Sequence, residues 1–294
     1  MNQLMFTLNN WIKIPSLWIW TFLLNPKDTE VSVREALKIW YRLIDTANIY
    51  ENEVAVSRWI STSLIDRKDI FISTKIRPTN YENTDVIDKT LERLGVDYVD
   101  LLFLHQPCWN YIFWYKQLEK AYKNWKIKAI GLSNFEWKFL DEILSVCDIK
   151  PQVVQLEAHP YFTQDESRKT LFGHDIRLMS WFPLWHWDTN LINELVFKEL
   201  WEKYNKFPIQ IILKWHIQMW FVVIPWSKNV DHIAHNFDLF DFELSCEDMS
   251  RISFLDLNKR YCVRTNETLN QYATMSSEVW HEMQRNNMKK LLNK

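Results

Sequence analysis

The chain has 294 residues, 47% of them hydrophobic and 24% charged, with a formal net charge of -2. That composition fits a soluble globular protein with a sizeable core, and the lack of any basic block leaves no electrostatic case for nucleic acid or an acidic membrane surface as partner. No apolar run approaches the ~20 residues of a membrane span, and Met1-Asn2-Gln3-Leu4-Met5-Phe6 carries no basic-then-apolar leader.

The first expected element is a two-strand hairpin over about residues 5–16, closing the floor of the domain. Eight β-rich apolar runs then alternate with helix-patterned stretches: Leu17–Phe22, Arg42–Asp45, Ile70–Lys75, Val99–His105, Lys128–Ser133, Gln152–Glu157, Ile176–Trp181 and Phe221–Pro225. Their cores, such as Leu101-Leu102-Phe103-Leu104 and Val222-Val223-Ile224, are nearly continuous in apolar residues, as parallel strands covered on both faces require. Between them, Thr84–Leu94 places Val86, Ile87, Leu91 and Leu94 on one helical face, with Asn83 or Thr84 as the cap and Gly95 as the terminator. Pro208 is expected to open a helix over Ile209–Met219. Eight βα units without a linker, low-complexity segment or composition break predict one α/β domain, a (β/α)8 TIM barrel over about residues 17–258. Residues from about 259 to 294 are expected to cross the rim as a tail.

Chemistry in such barrels sits at the C-terminal strand ends. Asp45 ends the second predicted strand, with Tyr50 in the loop after it; Lys75 ends the third, His105 the fourth, Ser133-Asn134 the fifth and Trp181 the seventh, while Gln155 lies on the sixth. Singly, Lys75 reads as a rim charge, Tyr50 as a loop anchor, His105 as a near-core histidine and Asp45 as a turn residue. Converging on one face, they have a chemical sense. A carbonyl that accepts hydride needs a proton donor, and tyrosine, with a pKa of about 10, is a weak one. A neighbouring ammonium is expected to lower that pKa, a carboxylate to hold the ammonium, and a histidine to orient the carbonyl oxygen. No G-x-G-x-x-G follows a strand and no G-x-S-x-G elbow is present. The eight histidines form no H-E-x-x-H and no ligand cluster, so no metal is expected. Cys108, Cys147, Cys246 and Cys262 are scattered, which predicts a reduced, cytoplasmic protein.

Several long segments carry a resemblance. Ile44-Asp45-Thr46-Ala47-Asn48-Ile49-Tyr50-Glu51-Asn52-Glu53, Leu91-Glu92-Arg93-Leu94-Gly95-Val96-Asp97-Tyr98-Val99-Asp100-Leu101, Ala129-Ile130-Gly131-Leu132-Ser133-Asn134-Phe135, Gln155-Leu156-Glu157-Ala158-His159-Pro160-Tyr161 and Ile224-Pro225-Trp226-Ser227 occur in this order along the chain. With them the chain resembles the aldo-keto reductases, in their bacterial diketogluconate reductase-like branch, from about Asn9 to about Tyr261. The resemblance implies a monomeric NADP(H)-dependent reductase of small-molecule aldehydes, ketones or sugar-derived carbonyls, with Asp45, Tyr50, Lys75 and His105 as the catalytic tetrad. It implies that Ser133, Asn134 and Gln155 hold the cofactor carboxamide, that Trp181 stacks on the nicotinamide, and that Thr21 and Leu184 line the rest of the channel. Ser227, Lys228, His232 and Asn236 complete the implied cofactor set, and Phe22, Ile49, Arg77 and His105 the substrate set. Arg77, two residues beyond Lys75, reads either as a solvated rim arginine or as a partner for carboxylate-bearing carbonyls.

Two departures stand out. The family reads the 2′-phosphate with a Lys-Ser pair and an Arg five residues after the Ser; here Trp226, Ser227 and His232 stand at those places, with Lys228 as partial compensation. NADP(H) is the expected cofactor, and NAD(H) the alternative. The second departure is compositional: 3 glycines and 17 tryptophans, against roughly 20 glycines expected at ordinary usage. At Trp11, Trp18, Trp20, Trp40, Trp125, Trp185, Trp187 and Trp220 the family pattern reads glycine. A gene that uses UGA for glycine, translated with UGA as tryptophan, accounts for that placement. Trp181 and Trp215 fit as tryptophan, and Trp59, Trp114 and Trp280 stay open. As written, the chain is expected not to fold stably and to bind dinucleotide weakly. Two other functional classes compete with the reductase reading: a non-catalytic dinucleotide-sensing barrel serving as a regulatory or interaction module, and another TIM-barrel enzyme such as an isomerase. The second has no phosphate loop or metal ligands to support it.

Overall fold

The computed structural model describes residues 3–184 and 189–292; Trp185 and Trp187 lie outside them. Strand β1 (Met5–Thr7) pairs antiparallel with β2 (Lys13–Pro15), forming the expected hairpin. Eight parallel strands come next: β3 (Ile19–Trp20), β4 (Leu43–Asp45), β5 (Phe71–Ile76), β6 (Leu101–Leu104), β7 (Ile130–Ser133), β8 (Val153–Glu157), β9 (Arg177–Trp181) and β10 (Val222–Val223). They hydrogen-bond in sequence order, and the two outer members meet. The Trp18 amide donates to Val223 O (3.0 Å), the Val223 amide to Ser16 O (2.9 Å) and the Trp20 amide to Pro225 O (3.2 Å). The sheet therefore closes into a (β/α)8 barrel. From β4 through β8 every strand residue is buried, which explains why these strands read as continuous apolar runs rather than alternating ones.

The barrel interior leaves little slack. A Cβ added to Gly131 on β7 would lie 2.3 Å from the Phe103 ring of β6, so that strand needs a glycine to let the ring fill the centre. The helix after Asn83 differs from expectation at its start. It spans Val86–Leu94 with Asp85 at the cap and no side-chain cap bond; Asn83 belongs to the preceding turn, where its backbone amide donates to Asn80 O and its carbonyl accepts from Val86 N. Pro208 opens the helix Pro208–Gln218 as expected. The tail forms two helices, Asn266–Thr274 and Ser277–Leu292, the second beginning above Tyr50.

Backbone conformation bears directly on the tryptophans. Of fourteen non-glycine residues at positive φ among the described residues, five are Asn or Asp and five are tryptophan: Trp11 (68°), Trp40 (78°), Trp125 (61°), Trp137 (44°) and Trp220 (65°). Asn and Asp tolerate the left-handed region through local hydrogen bonds; tryptophan has no such compensation. Three of the five follow helices with the same bond pattern. Tyr41 N donates to Ala36 O, Lys126 N to Ala121 O and Phe221 N to His216 O, each spanning five residues around a left-handed Trp40, Trp125 or Trp220. Two further helices among the described residues end this way: Ile176 N donates to Leu171 O around Asp175 at φ 56°, and Val96 N donates to Leu91 O around Gly95 at φ 63°. This is the glycine-terminated helix end in which glycine avoids the Cβ penalty. Trp40, Trp125 and Trp220 are 61%, 81% and 66% exposed, and Trp11, in the hairpin turn, 87%, so packing returns little. Trp137, at φ 44° and ψ −116°, was not among the residues singled out from sequence. Trp18 and Trp20 are buried and are not left-handed.

Replacing Trp40, Trp125 and Trp220 by glycine is expected to raise stability by about 1 kcal/mol each, the lower part of the ~1–3 kcal/mol strain of a non-glycine residue there. Thermal melts of the single variants measure this, and the codons at Trp11, Trp40, Trp125, Trp137 and Trp220 test its origin. UGA at these positions fits a glycine assignment; UGG throughout would exclude it.

Candidate active site

The C-terminal ends of adjacent strands bring four polar side chains together. Asp45 closes β4, Lys75 is the penultimate residue of β5, His105 follows β6, and Tyr50 ends a single 3-10 turn, Asn48–Tyr50, beyond β4. The turn is held by Asn52, whose amide donates to Thr21 O (2.8 Å) and Leu24 O (3.2 Å) while its oxygen accepts from the Thr46 hydroxyl (2.7 Å). Thr21, placed in the cofactor channel from sequence, is buried and donates its hydroxyl to Asp45 O at 3.1 Å.

Lys75 and Asp45 are both wholly buried and form an ion pair. Lys75 also donates to Thr46 O (3.0 Å), and Asp45 accepts from the Ser73 hydroxyl (2.6 Å). Burial pushes the carboxyl of Asp45 up and the ammonium of Lys75 down, and each is opposed by its partner. The Lys75 ammonium lies 5.2 Å from the centre of the Tyr50 ring. Tyr50 nonetheless titrates well above 10, first because it is buried and then because of the charge on Asp45. The expected depression by Lys75 does not prevail, because that charge is already matched by a carboxylate. Tyr50 is thus a protonated phenol. The ring of His105 stands 6.0 Å from that of Tyr50, edge-on. Burial, followed by the charges of Lys75, Arg264 and Arg77, holds its imidazole well below 6.5, so it is neutral.

Ser133, Asn134 and Gln155 stand beside them. Asn134 donates to the Ser133 hydroxyl (3.0 Å) and His105 O (3.1 Å), Ser133 donates to Gln155 Oε1 (3.3 Å), and the Trp181 indole donates to Asn134 Oδ1 (3.0 Å). A row of amide and hydroxyl groups beside an aromatic face fits the carboxamide and ring of a nicotinamide. Phe22 and Ile49 line the same cavity, and Leu184 is buried. On the far side of the rim, Ser227 and Asn236 are buried while Lys228 and His232 are exposed. The Ser227 hydroxyl is bonded to the Asn229 backbone (3.1 and 3.3 Å), and Asn229 caps the helix Val230–Phe237. Arg77 does not line the cavity. Its guanidinium donates to Ser277 Oγ (2.6 Å) and Met275 O (2.7 Å), fastening the tail.

Sequence reading missed several neighbours. Trp280 of the tail stacks on Tyr50 with ring centres 5.7 Å apart, and Phe182, Cys262, Arg264 and Tyr272 line the cavity. No local pattern signals them, since most come from a tail whose path is set by contacts far away in sequence. Trp20 matters most. Its indole donates to the Tyr50 hydroxyl at 3.2 Å, and its ring stacks on Phe22 at 4.5 Å. With Trp20 and Trp280 in place the cavity holds about 70 Å³, well under the roughly 300–1,000 Å³ of a small-molecule site. A larger cavity of about 550 Å³ lies at the opposite end of the barrel, beside Arg177 and Phe221, and one of its walls is the left-handed Trp220.

The chain is similar to known proteins along most of its length. Residues 20–256 match the family model described as the Aldo/keto reductase family. The chain is 40% identical over 267 residues to a glyoxal reductase of Bacillus subtilis, covering 89% of this chain and 96% of that protein. It is 31% identical over 251 residues to a methylglyoxal reductase of Escherichia coli, covering 84% and 91%. Among solved structures, an aldo-keto reductase from a deep-sea metagenome library superposes with a TM-score of 0.86 at 34% identity, covering 89% of this chain and 98% of that one. An aldo-keto reductase complexed with NADPH superposes at 0.84 with 25% identity, covering 88% and 89%.

Trp20→Gly is expected to enlarge the cavity and free the Tyr50 hydroxyl. Loss of one neutral hydrogen bond, about 1 kcal/mol, is worth roughly fivefold on its own. Carbonyl-dependent turnover in Trp20→Gly should therefore rise at least that much, and cofactor titration should tighten. Unchanged turnover and affinity would show that the indole does not obstruct the site.

Proposed function

The chain belongs to the aldo/keto reductase family, and we propose that it reduces an aldehyde or ketone to the alcohol with Tyr50 as proton donor and NADP(H) as cofactor. The observation that carries this reading is the meeting of a protonated, buried Tyr50 with a neutral His105 above a charge-matched Lys75–Asp45 pair. The nicotinamide, when bound, supplies the hydride. Ser133, Asn134 and Gln155 would hold its carboxamide and Trp181 its ring. The side chains do the rest. The Tyr50 hydroxyl delivers its proton to the carbonyl oxygen as negative charge develops there. Neutral imidazole at His105 offers one N–H to the same oxygen and fixes which way the carbonyl points. Lys75 stabilises the phenolate left on Tyr50, and Asp45 keeps the ammonium in place.

Small dicarbonyls are the first substrates to test, given the glyoxal and methylglyoxal reductases among the relatives. For the 2′-phosphate, exposed Lys228 is the permanent cation in the Ser227–His232 segment, which supports NADPH over NADH with a modest margin. We also assign the protein to the cytoplasm as a monomer, in keeping with four cysteines that form no disulfide. Among the described residues no helix is long and apolar enough to cross a membrane.

Loss of cofactor absorbance with a panel of carbonyl compounds, using NADPH and NADH in turn, tests the reading. Tyr50→Phe should lower turnover by ~10²–10⁴-fold while leaving the melt and cofactor binding nearly unchanged. Lys75→Met should also destabilise the fold, by about 3–5 kcal/mol, because Asp45 is left buried without a partner. A Tyr50→Phe protein with near-normal turnover would end the assignment. The imidazole of His105, held well below 6.5, should contribute no limb to the kcat/KM profile between pH 6 and 8. A limb at pH 6.5 removed by His105→Gln would contradict a neutral His105.

A further inference from the structure

The arginines around the tail divide by how they are matched. Arg77 is taken up by Ser277 and Met275 O, and Arg260 pairs with Glu136 (2.5 Å between Nη2 and Oε2). Arg264 differs. It lines the cavity together with Tyr50, His105 and Trp181, its guanidinium lying 5.2 Å from the centre of the Trp181 ring. The Nε of Arg264, like that of Arg77, is buried with no hydrogen-bond partner, but among the described residues its guanidinium has neither the hydrogen bonds that occupy Arg77 nor the carboxylate that meets Arg260. The chain around it is pinned on both sides. The amides of Tyr261 and Cys262 donate to the buried carboxylate of Glu157, and Thr265 caps the helix Asn266–Thr274 by accepting from Thr268 N. The arginine is therefore presented from a fixed stretch of tail rather than from a free end.

Charge in the cavity points the same way. Lys75 is neutralised by Asp45 and His105 is uncharged, so among the described residues that line the cavity Arg264 is a cation no carboxylate matches. A guanidinium that is half-buried without an anion is disfavoured, and a planar fork of N–H donors is the natural receptor for a carboxylate. Resting on the carbonyl-reduction reading, we propose that Arg264 receives a carboxylate carried by the substrate, so that this chain selects carbonyl compounds bearing an acid group. The carboxylate role considered for Arg77 from sequence passes to Arg264, since Arg77 is occupied by the tail.

The test compares 4-carboxybenzaldehyde with its methyl ester at saturating NADPH in the full-length chain and in Arg264→Met and Arg264→Lys. The ratio of kcat/KM for acid over ester should fall roughly ten- to a hundredfold in Arg264→Met and recover in part in Arg264→Lys. An equilibrium readout accompanies it: benzoate, but not benzamide, should raise the melting temperature of the unsubstituted chain, and Arg264→Met should lose that shift. An unchanged acid-to-ester ratio with the ester still reduced would overturn the role of Arg264 while leaving carbonyl reduction intact. A variant whose KM for NADPH rises while the ratio stays constant would likewise overturn it, by showing that the arginine serves the cofactor. Absence of turnover with both compounds, in a protein that melts cooperatively, would remove the underlying reading and this one with it.

Discussion

The buried ion pair of Lys75 and Asp45 is the constraint around which the rest of the site is arranged. Two charges without solvent contact persist only when each is matched and further hydrogen-bonded, and here Ser73 and Thr46 O supply the additional bonds. The requirement reaches into the fold: Asp45 and Lys75 come from neighbouring strands, β4 and β5, whose register pairs Asp45 with Ser73. A slip of one residue would turn one partner toward the helices and leave the other uncompensated. The pair also sets the chemistry of its neighbours. Burial, and after it the charge of Asp45, leave Tyr50 protonated, while burial and then the charge of Lys75 keep His105 neutral.

The tail is the second determinant of the site. It brings Trp280 against Tyr50 and Arg264 over Trp181, and it is fastened by Arg77 at one place and by Glu157 at another. A barrel provides a reaction centre at its rim, whereas the choice of substrate depends on the segments laid across that centre. The tail thus gives the rim beside Tyr50 a charged wall at Arg264. The small volume left beside Tyr50 arises from Trp20 and Trp280 together, and Trp20 stands where the family pattern reads glycine.

The tryptophans show two kinds of evidence meeting. Composition and family pattern mark residues whose identity conflicts with their surroundings, and the backbone gives that conflict a physical form at Trp11, Trp40, Trp125 and Trp220. Gly95 does the same task in the same bond pattern without strain. Trp137 differs in standing at the start of a helix, Lys138–Val146, rather than at a helix end where a glycine terminator is expected. Trp18 and Trp20 are instead buried at ordinary φ, Trp18 with its indole donating to Pro15 O and Trp20 with its indole on the Tyr50 hydroxyl.

Much of the architecture was legible in the chain itself, because strands covered on both faces must be apolar throughout and helices between them must carry a one-sided stripe. Those local requirements determined eight strands, the hairpin, and the candidate positions of Asp45, Tyr50, Lys75 and His105 at the strand ends. Helix starts were less legible, as Asn83 shows, because a residue that can cap a helix can equally be used by the turn before it. Only the tertiary structure decided which charges are matched. The ammonium expected to depress Tyr50 is neutralised by Asp45, Arg77 is spent on the tail, and Arg264 faces the cavity unpaired. Distance and burial govern those outcomes, and neither is encoded by spacing along the sequence once the partners lie as far apart as Arg77 and Ser277.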